Sequence, residues 1–179
     1  MPPKLSYDDV MKMQKERVDQ GLPPLGPKKA VTDLSTISPP EKELQIDPNS
    51  HIQEESKVGK VERLSSSPVS DYYAMFLDDG EVAYFYAGIE GEEFSVLDAV
   101  HIYNTADLVE PEKKHLFEIV WSLDGLKAGL LIDHQFHAVF DFEENRGYCR
   151  SCFPPPDPAT LFGEFPREWT DECLAFFRK

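Results

Sequence analysis

YYAMFLDDGEVAYFYA, residues 72–87, sets two aromatic-rich runs on either side of Asp79-Gly80. An Asp-Gly pair between β-prone runs is a strong hairpin signal, because the tight turn needs a positive φ that glycine takes without a Cβ clash. The device recurs along the chain. FEIVWSLDGLKAGLLI turns at Asp124-Gly125, LLIDHQFHAVFDF at Asp133–Gln135, and FDFEENRGYCRS near Asn145–Gly147. VLDAVHIYN, residues 96–104, is a further strand candidate, apolar on both sides and therefore covered twice. The pattern predicts a β-dominated α+β body: a curled antiparallel β-meander of six or seven strands.

Alternation assigns the faces, since successive side chains point to opposite sides of a strand. Phe136, Ala138, Phe140 and Phe142 share one side; His137, Val139 and Asp141 share the other. Asp98 falls with Val96, Val100 and Ile102, and His101 with Leu97, Ala99 and Tyr103. At the C-terminus, EWTDECLAFFRK predicts a covering helix with Thr170 as its cap, reached through the polyproline strap FPPPDP.

The N-terminal third differs. Of 21 Phe, Tyr and Trp residues only Tyr7 precedes residue 61, while eight of the fifteen prolines precede residue 49. Residues 1–21 predict a short amphipathic helix, with Ser6 as cap, Gly21 as stop, and Val10, Met13, Arg17 and Val18 near one face. So short a helix forms only when docked, on its own body or on a partner. Residues 22–56, rich in Pro, Ser, Lys and Glu, read as a disordered linker. Residues 57–179 read as the globular domain.

Net charge is −15, and residues 61–179 carry −14 of it. That balance argues against nucleic acid, whose binders neutralise phosphates, and against an anionic membrane surface. It allows a basic protein partner, because an acidic surface speeds such encounters. No apolar run approaches the roughly 18 residues of a spanning helix. Three cysteines make no disulfide framework, so a reducing, cytoplasmic compartment is expected. Nothing in the residues fixes an oligomeric state.

Three groups of residues could carry function. His134-x-x-His137 and Cys149-x-x-Cys152 offer four N and S donors for zinc, provided turns bend both pairs inward. Against that stands a core thiol at Cys149 and a strand-end residue at Cys152. A redox role is disfavoured, since the pair runs into prolines and no helix N-terminus lowers a thiol pKa. Asp98 and His101 suggest acid–base work, and Cys149 with His101 or His137 a Cys–His hydrolase; set against the first is a buried, hydrogen-bonded structural role for the Asp98 and His101 pair. The acidic runs Asp78, Asp79 and Glu81, then Glu92 and Glu93, then Glu143 and Glu144, lie at hairpin ends. Gathered on one edge they would dock a basic partner; otherwise they form a solvated rim.

MFLDDGEVAYFYA, LDAVHIYN, IVWSLDGLKAGLLID, HAVFDFEENRGYCR and FPPP, taken together, resemble a small bacterial domain family of unknown function over about residues 69–177. The resemblance implies a compact single-domain bacterial cytosolic protein and confers no catalytic role on any residue. Cys152 stands outside the pattern. The expectation for function is a non-catalytic protein-binding module, immunity- or antitoxin-like in its most specific form, with no cofactor. The rival is a small metal protein or hydrolase built on the His, Cys and Asp residues of the sheet.

Overall fold

The computed structural model of the chain describes residues 16, 17, 19–21, 24–26, 34, 44–91, 93 and 95–178. Among them, nine strands form two antiparallel sheets. β1 (Ile52–Lys57), β6 (Lys114–Trp121), β7 (Lys127–Ile132), β8 (Gln135–Asp141) and β9 (Arg146–Cys149) make the first, paired in that order. β2 (Val61–Ser66), β3 (Tyr72–Asp78), β4 (Val82–Ile89) and β5 (Ser95–Asn104) make the second, in chain order. The single curled meander is therefore corrected to a two-layer sandwich. The chain crosses between layers at residues 58–60 and again after β5, where Thr105–Asp107 forms a 3₁₀ turn and β6 joins β1 and β7.

Aromatic alternation explains why the layers close on each other. Phe76 stacks on Phe117 with ring centroids 5.1 Å apart, Phe85 on Phe140 at 5.2 Å, and Tyr72 on Phe142 at 4.4 Å, each pair spanning the two sheets. Such stacks add about 0.5–1.5 kcal/mol each beyond area burial. Trp121, Leu130 and Ala138 fill the same core. Two bulges adjust the expected faces. A register shift between Leu130 and Leu131 pairs Leu131 with Phe136 but Leu130 with Ala138. Phe136 thereby leaves the inner face of Ala138 and Phe140 and joins Val120, Leu131 and Val139 on the outer one. A second shift, between Ala83 and Tyr84, returns Tyr103 to the core side with Val100.

The C-terminal cover is present but is not an α-helix. Asp171–Phe177 is a run of 3₁₀ turns, closed by i→i+3 bonds such as Cys173 N–H to Thr170 C=O at 3.2 Å, and Thr170 makes no side-chain cap. Three residues per turn align Leu174 with Phe177, and both are buried on the outer face with Cys173. The 3₁₀ rise of about 2.0 Å per residue also lets seven residues span about 14 Å of sheet, more than an α-helix would.

Ordered structure begins well before residue 57. β1 pairs with β6 along its whole length, Ile46 bridges Ser122, and Gln45 N–H donates to Phe177 C=O at 2.7 Å. Of the helix expected over residues 1–21, Glu16, Arg17 and Asp19–Gly21 are described, and Gln20 N–H closes one turn on Glu16 C=O. The remainder of that helix lies outside the described residues. Among the described residues, no helix is long and apolar enough to cross a membrane.

Candidate functional site

Asp98, His101 and Cys149 each bind a different partner. Asp98 faces inward and is clamped by Arg167, whose Nη1 and Nη2 each donate at 2.6 Å to one carboxylate oxygen. Both side chains are buried, and Arg167 Nε also donates to Pro154 C=O at 2.5 Å. Gly147 makes room for this pair: a Cβ there would stand 2.8 Å from Asp98 Oδ2 and 3.0 Å from Arg167 Nη1. His101 points to the other side of β5. Its Nε2 bonds Asn104 Oδ1 at 3.0 Å and its ring meets Tyr84 edge-on. The Cys149 thiol lies in the core and donates to Phe153 C=O at 3.6 Å, and burial pushes its pKa up. The acid, the imidazole and the thiol therefore serve three separate structural contacts.

All three thiols are free, with Cys152 exposed and Cys149 and Cys173 buried. Burial pushes the Cys173 pKa from its ordinary 9.0 to about 12. A thiol reagent should then label one cysteine per native chain quickly, and the other two at least ~100-fold more slowly, through opening of the fold. Between pH 9.0 and about 12 the folded chain keeps a proton on Cys173 that the unfolded chain has lost. Stability should therefore fall as pH rises through that window, and less steeply in Cys173→Ala, as followed by urea midpoints against pH.

The histidine pair also separates. His134 occupies the β7–β8 turn at φ +65, exposed, with Nδ1 2.8 Å from Glu118 Oε2. His137 is buried in β8. The same Glu118 carboxylate receives His51 Nε2 at 3.1 Å, so a buried acid sits between two imidazoles, one from each side of β6. Glu118 carried no local signal in the sequence, since its partners are 67 residues upstream and 16 downstream. Among the described residues, no group of three or more His, Cys, Asp and Glu side chains is placed to hold a metal ion.

The acidic runs do not share one edge. Successive hairpin turns alternate ends, so Asp78–Glu81 and the pair Glu90 and Glu93 lie at opposite ends of β4. Glu143 and Glu144 belong with the second group, because Phe142 stacks on Tyr72, which pairs with Ile89. Asp78 is not a surface acid at all. It is buried and accepts Tyr103 O–H at 2.7 Å, Gly59 N–H at 2.6 Å and Gly80 N–H at 2.8 Å. Asp79 and Glu81 hold the guanidinium of Arg17. Glu143 binds Lys127 Nζ at 2.9 Å while remaining exposed, and Glu93 and Glu144 are exposed. Glu92 lies outside the described residues.

One end of the sandwich combines these carboxylates with apolar surface. Val69, Ile89 and Leu123 are exposed there, on the β2–β3 turn, the end of β4 and the β6–β7 turn. Val69 rests over the β6–β7 turn, its Cγ2 2.4 Å from where a Cβ on Gly125 would stand. Asp71, Glu93, Asp124, Glu143 and Glu144 are exposed around them. A shallow hollow of about 480 Å³ opens beside this end, between β1 and β2, lined by Asn49, Ser50, Ile52, Leu64, Ser65 and Pro68 among others.

Residues 56–178 match the family described as "Uncharacterized protein conserved in bacteria (DUF2251)". An "Uncharacterized protein" of Haemophilus influenzae (strain ATCC 51907 / DSM 11121 / KW20 / Rd) is 37% identical over 98 residues, which cover 54% of this chain and 61% of that protein. The match thus spans less than two thirds of the relative's length. No solved structure matches the chain.

Proposed function

The chain belongs to the bacterial family of uncharacterized proteins that its residues 56–178 match, and we propose that it is a non-catalytic binding module whose acidic surface docks a basic protein. One observation carries the reading. The sandwich end at Val69, Ile89 and Leu123 offers apolar contacts ringed by Asp71, Glu93, Asp124, Glu143 and Glu144. An apolar centre with a charged rim is the anatomy of a protein interface: burial supplies affinity, and the rim steers encounter and selects partners. The body's charge of −14 over residues 61–179 extends that steering field. In its most specific form the partner is a basic toxin, and the chain masks it as an immunity protein or antitoxin does.

The experiment is an affinity capture on the purified chain, run at low and high ionic strength against a lysate and then against the purified captured protein. A basic protein should bind at low salt and be released as salt shortens the Debye length from about 10 Å towards 3 Å. Glu93→Lys combined with Glu144→Lys should weaken it about tenfold or more, mainly through the on-rate, with the urea midpoint unchanged. Binding indifferent to salt and to both reversals would refute the proposal.

A further inference from the structure

The second occupied surface is the outer face of the β2–β5 sheet, where described residues of the N-terminal arm are seated. Arg17 is buried although it is an arginine. Its Nη2 lies 3.1 Å from Asp79 Oδ2, and its Nη1 binds the Glu81 carboxylate. Seven residues on, Tyr84 O–H donates to the Pro24 carbonyl at 2.6 Å, from a phenol that burial keeps protonated. Then Asn104 reads the backbone of Gly26 in both directions. Its Oδ1 accepts Gly26 N–H at 3.0 Å and its Nδ2 donates to Gly26 C=O at 3.1 Å. Gly26 packs so closely on His101 that a Cβ would stand 2.1 Å from the ring. Asn104 is itself fixed by His101 Nε2 at 3.0 Å and by Asp107 Oδ2 at 2.9 Å.

Each of these contacts is of a kind that recognises a peptide segment. A carboxylate pair takes a guanidinium, a phenol takes a carbonyl, and a primary amide takes both polar groups of one peptide unit. Asp79, Glu81, Tyr84, His101 and Asn104 all lie within the family-matched residues 56–178, whereas Arg17, Pro24 and Gly26 lie outside them. The reading side therefore belongs to the domain and the read side to the appended arm.

We infer that this face is a recognition groove for a basic segment with a glycine about nine residues after its arginine, and that the arm is a resident competitor holding the groove closed. The binding-module reading is needed only to say that a basic partner is what displaces the arm. A tethered segment acts at an effective concentration in the millimolar range. An untethered segment with the same contacts is therefore weakened in inverse proportion to the fraction of chains whose groove is open, by about 10- to 100-fold for a site of about 10–100 µM.

The test uses the full chain and a fluorescein-labelled peptide of residues 14–28, followed by fluorescence anisotropy. Wild type should bind the peptide weakly. The full chain carrying Arg17→Glu and Gly26→Val, in which the arm is weakened, should bind it about 10- to 100-fold more tightly. Glu81→Lys, at an exposed side chain, added to that chain should remove most of the gain, and Asn104→Ala should do the same. A peptide with its own arginine changed to glutamate should fail to bind. Equal affinity for wild type and the arm-weakened chain overturns the inference, as does absence of binding to the arm-weakened chain or indifference to Glu81→Lys. The titration contains no partner protein and leaves the Glu93–Glu143 end untouched, so failure here and failure of the docking reading are separate results.

Discussion

Asp98→Ala is expected to cost the fold about 3–5 kcal/mol, a large part of the roughly 5–15 kcal/mol that holds a domain together. The reason is what the substitution leaves behind. Arg167 is buried, and with Asp98 gone its two terminal nitrogens keep their charge and lose both 2.6 Å acceptors. Pro154 C=O satisfies Nε alone. Arg167→Ala should cost a similar amount by stranding the carboxylate. Arg167→Lys should not rescue, because an ammonium cannot reproduce the two-pronged geometry. The informative variant is the double replacement Asp98→Leu with Arg167→Met, which removes both charges and should fall within about 2 kcal/mol of wild type. Urea midpoints at constant m-value read all four. Additive losses in the double variant would mean that the pair does not interact, contrary to the geometry.

This pair also marks the limit of what the sequence discloses. That an acid beside Val100 needs a partner follows from β alternation and the cost of burying a charge. That the partner is Arg167 does not, because it is 69 residues away, beyond the proline strap, in a segment without periodicity. The hairpins were readable for the opposite reason. Asp79-Gly80 and Asp124-Gly125 are local instructions, and β3–β4 and β6–β7 follow them. The division into two sheets was hidden in β1, whose IQEESK carries a single apolar residue because it is an edge strand facing water along much of its length. Bulges hid the faces of Phe136 and Tyr103, since one extra residue inverts every later assignment. Of the site, the acidic hairpin ends were legible. Their distribution over both ends required only the rule that consecutive turns alternate. The arm's Arg17 stood on the expected helical stripe, yet its seat on Asp79 and Glu81 is a tertiary fact.

Asp78→Ala should be the second most damaging surface-looking change, at about 2–4 kcal/mol, whereas Asp79→Ala next to it should cost about 1 kcal/mol or less. Both read alike in FLDDGE, and only strand parity separates them. Asp78 shares the inward side with Ala74 and Phe76, so its carboxylate turns into the protein. There it accepts three donors, of which Tyr103 O–H is buried and cannot be hydrated once the carboxylate is removed, while Gly59 N–H and Gly80 N–H lie nearer the surface. Tyr103 O–H is buried between the sheets, and its phenol pKa is raised well above 10.0 by burial and then by this carboxylate. Gly59 N–H belongs to the crossing between β1 and β2, at φ +98, so Asp78 ties the link between layers to the β3–β4 turn that Gly80 N–H completes. The buried phenol left without an acceptor costs about 1–3 kcal/mol, and the two part-exposed amides add less. Asp78→Asn keeps one acceptor oxygen and should lose about half as much. Among the described residues, Asp79 bonds its own turn and Arg17. Its removal should weaken binding of the residue 14–28 peptide to the arm-weakened chain, while leaving the unfolding midpoint nearly fixed. If Asp78→Ala and Asp79→Ala shifted that midpoint equally, the inward carboxylate would not be the tie between the layers.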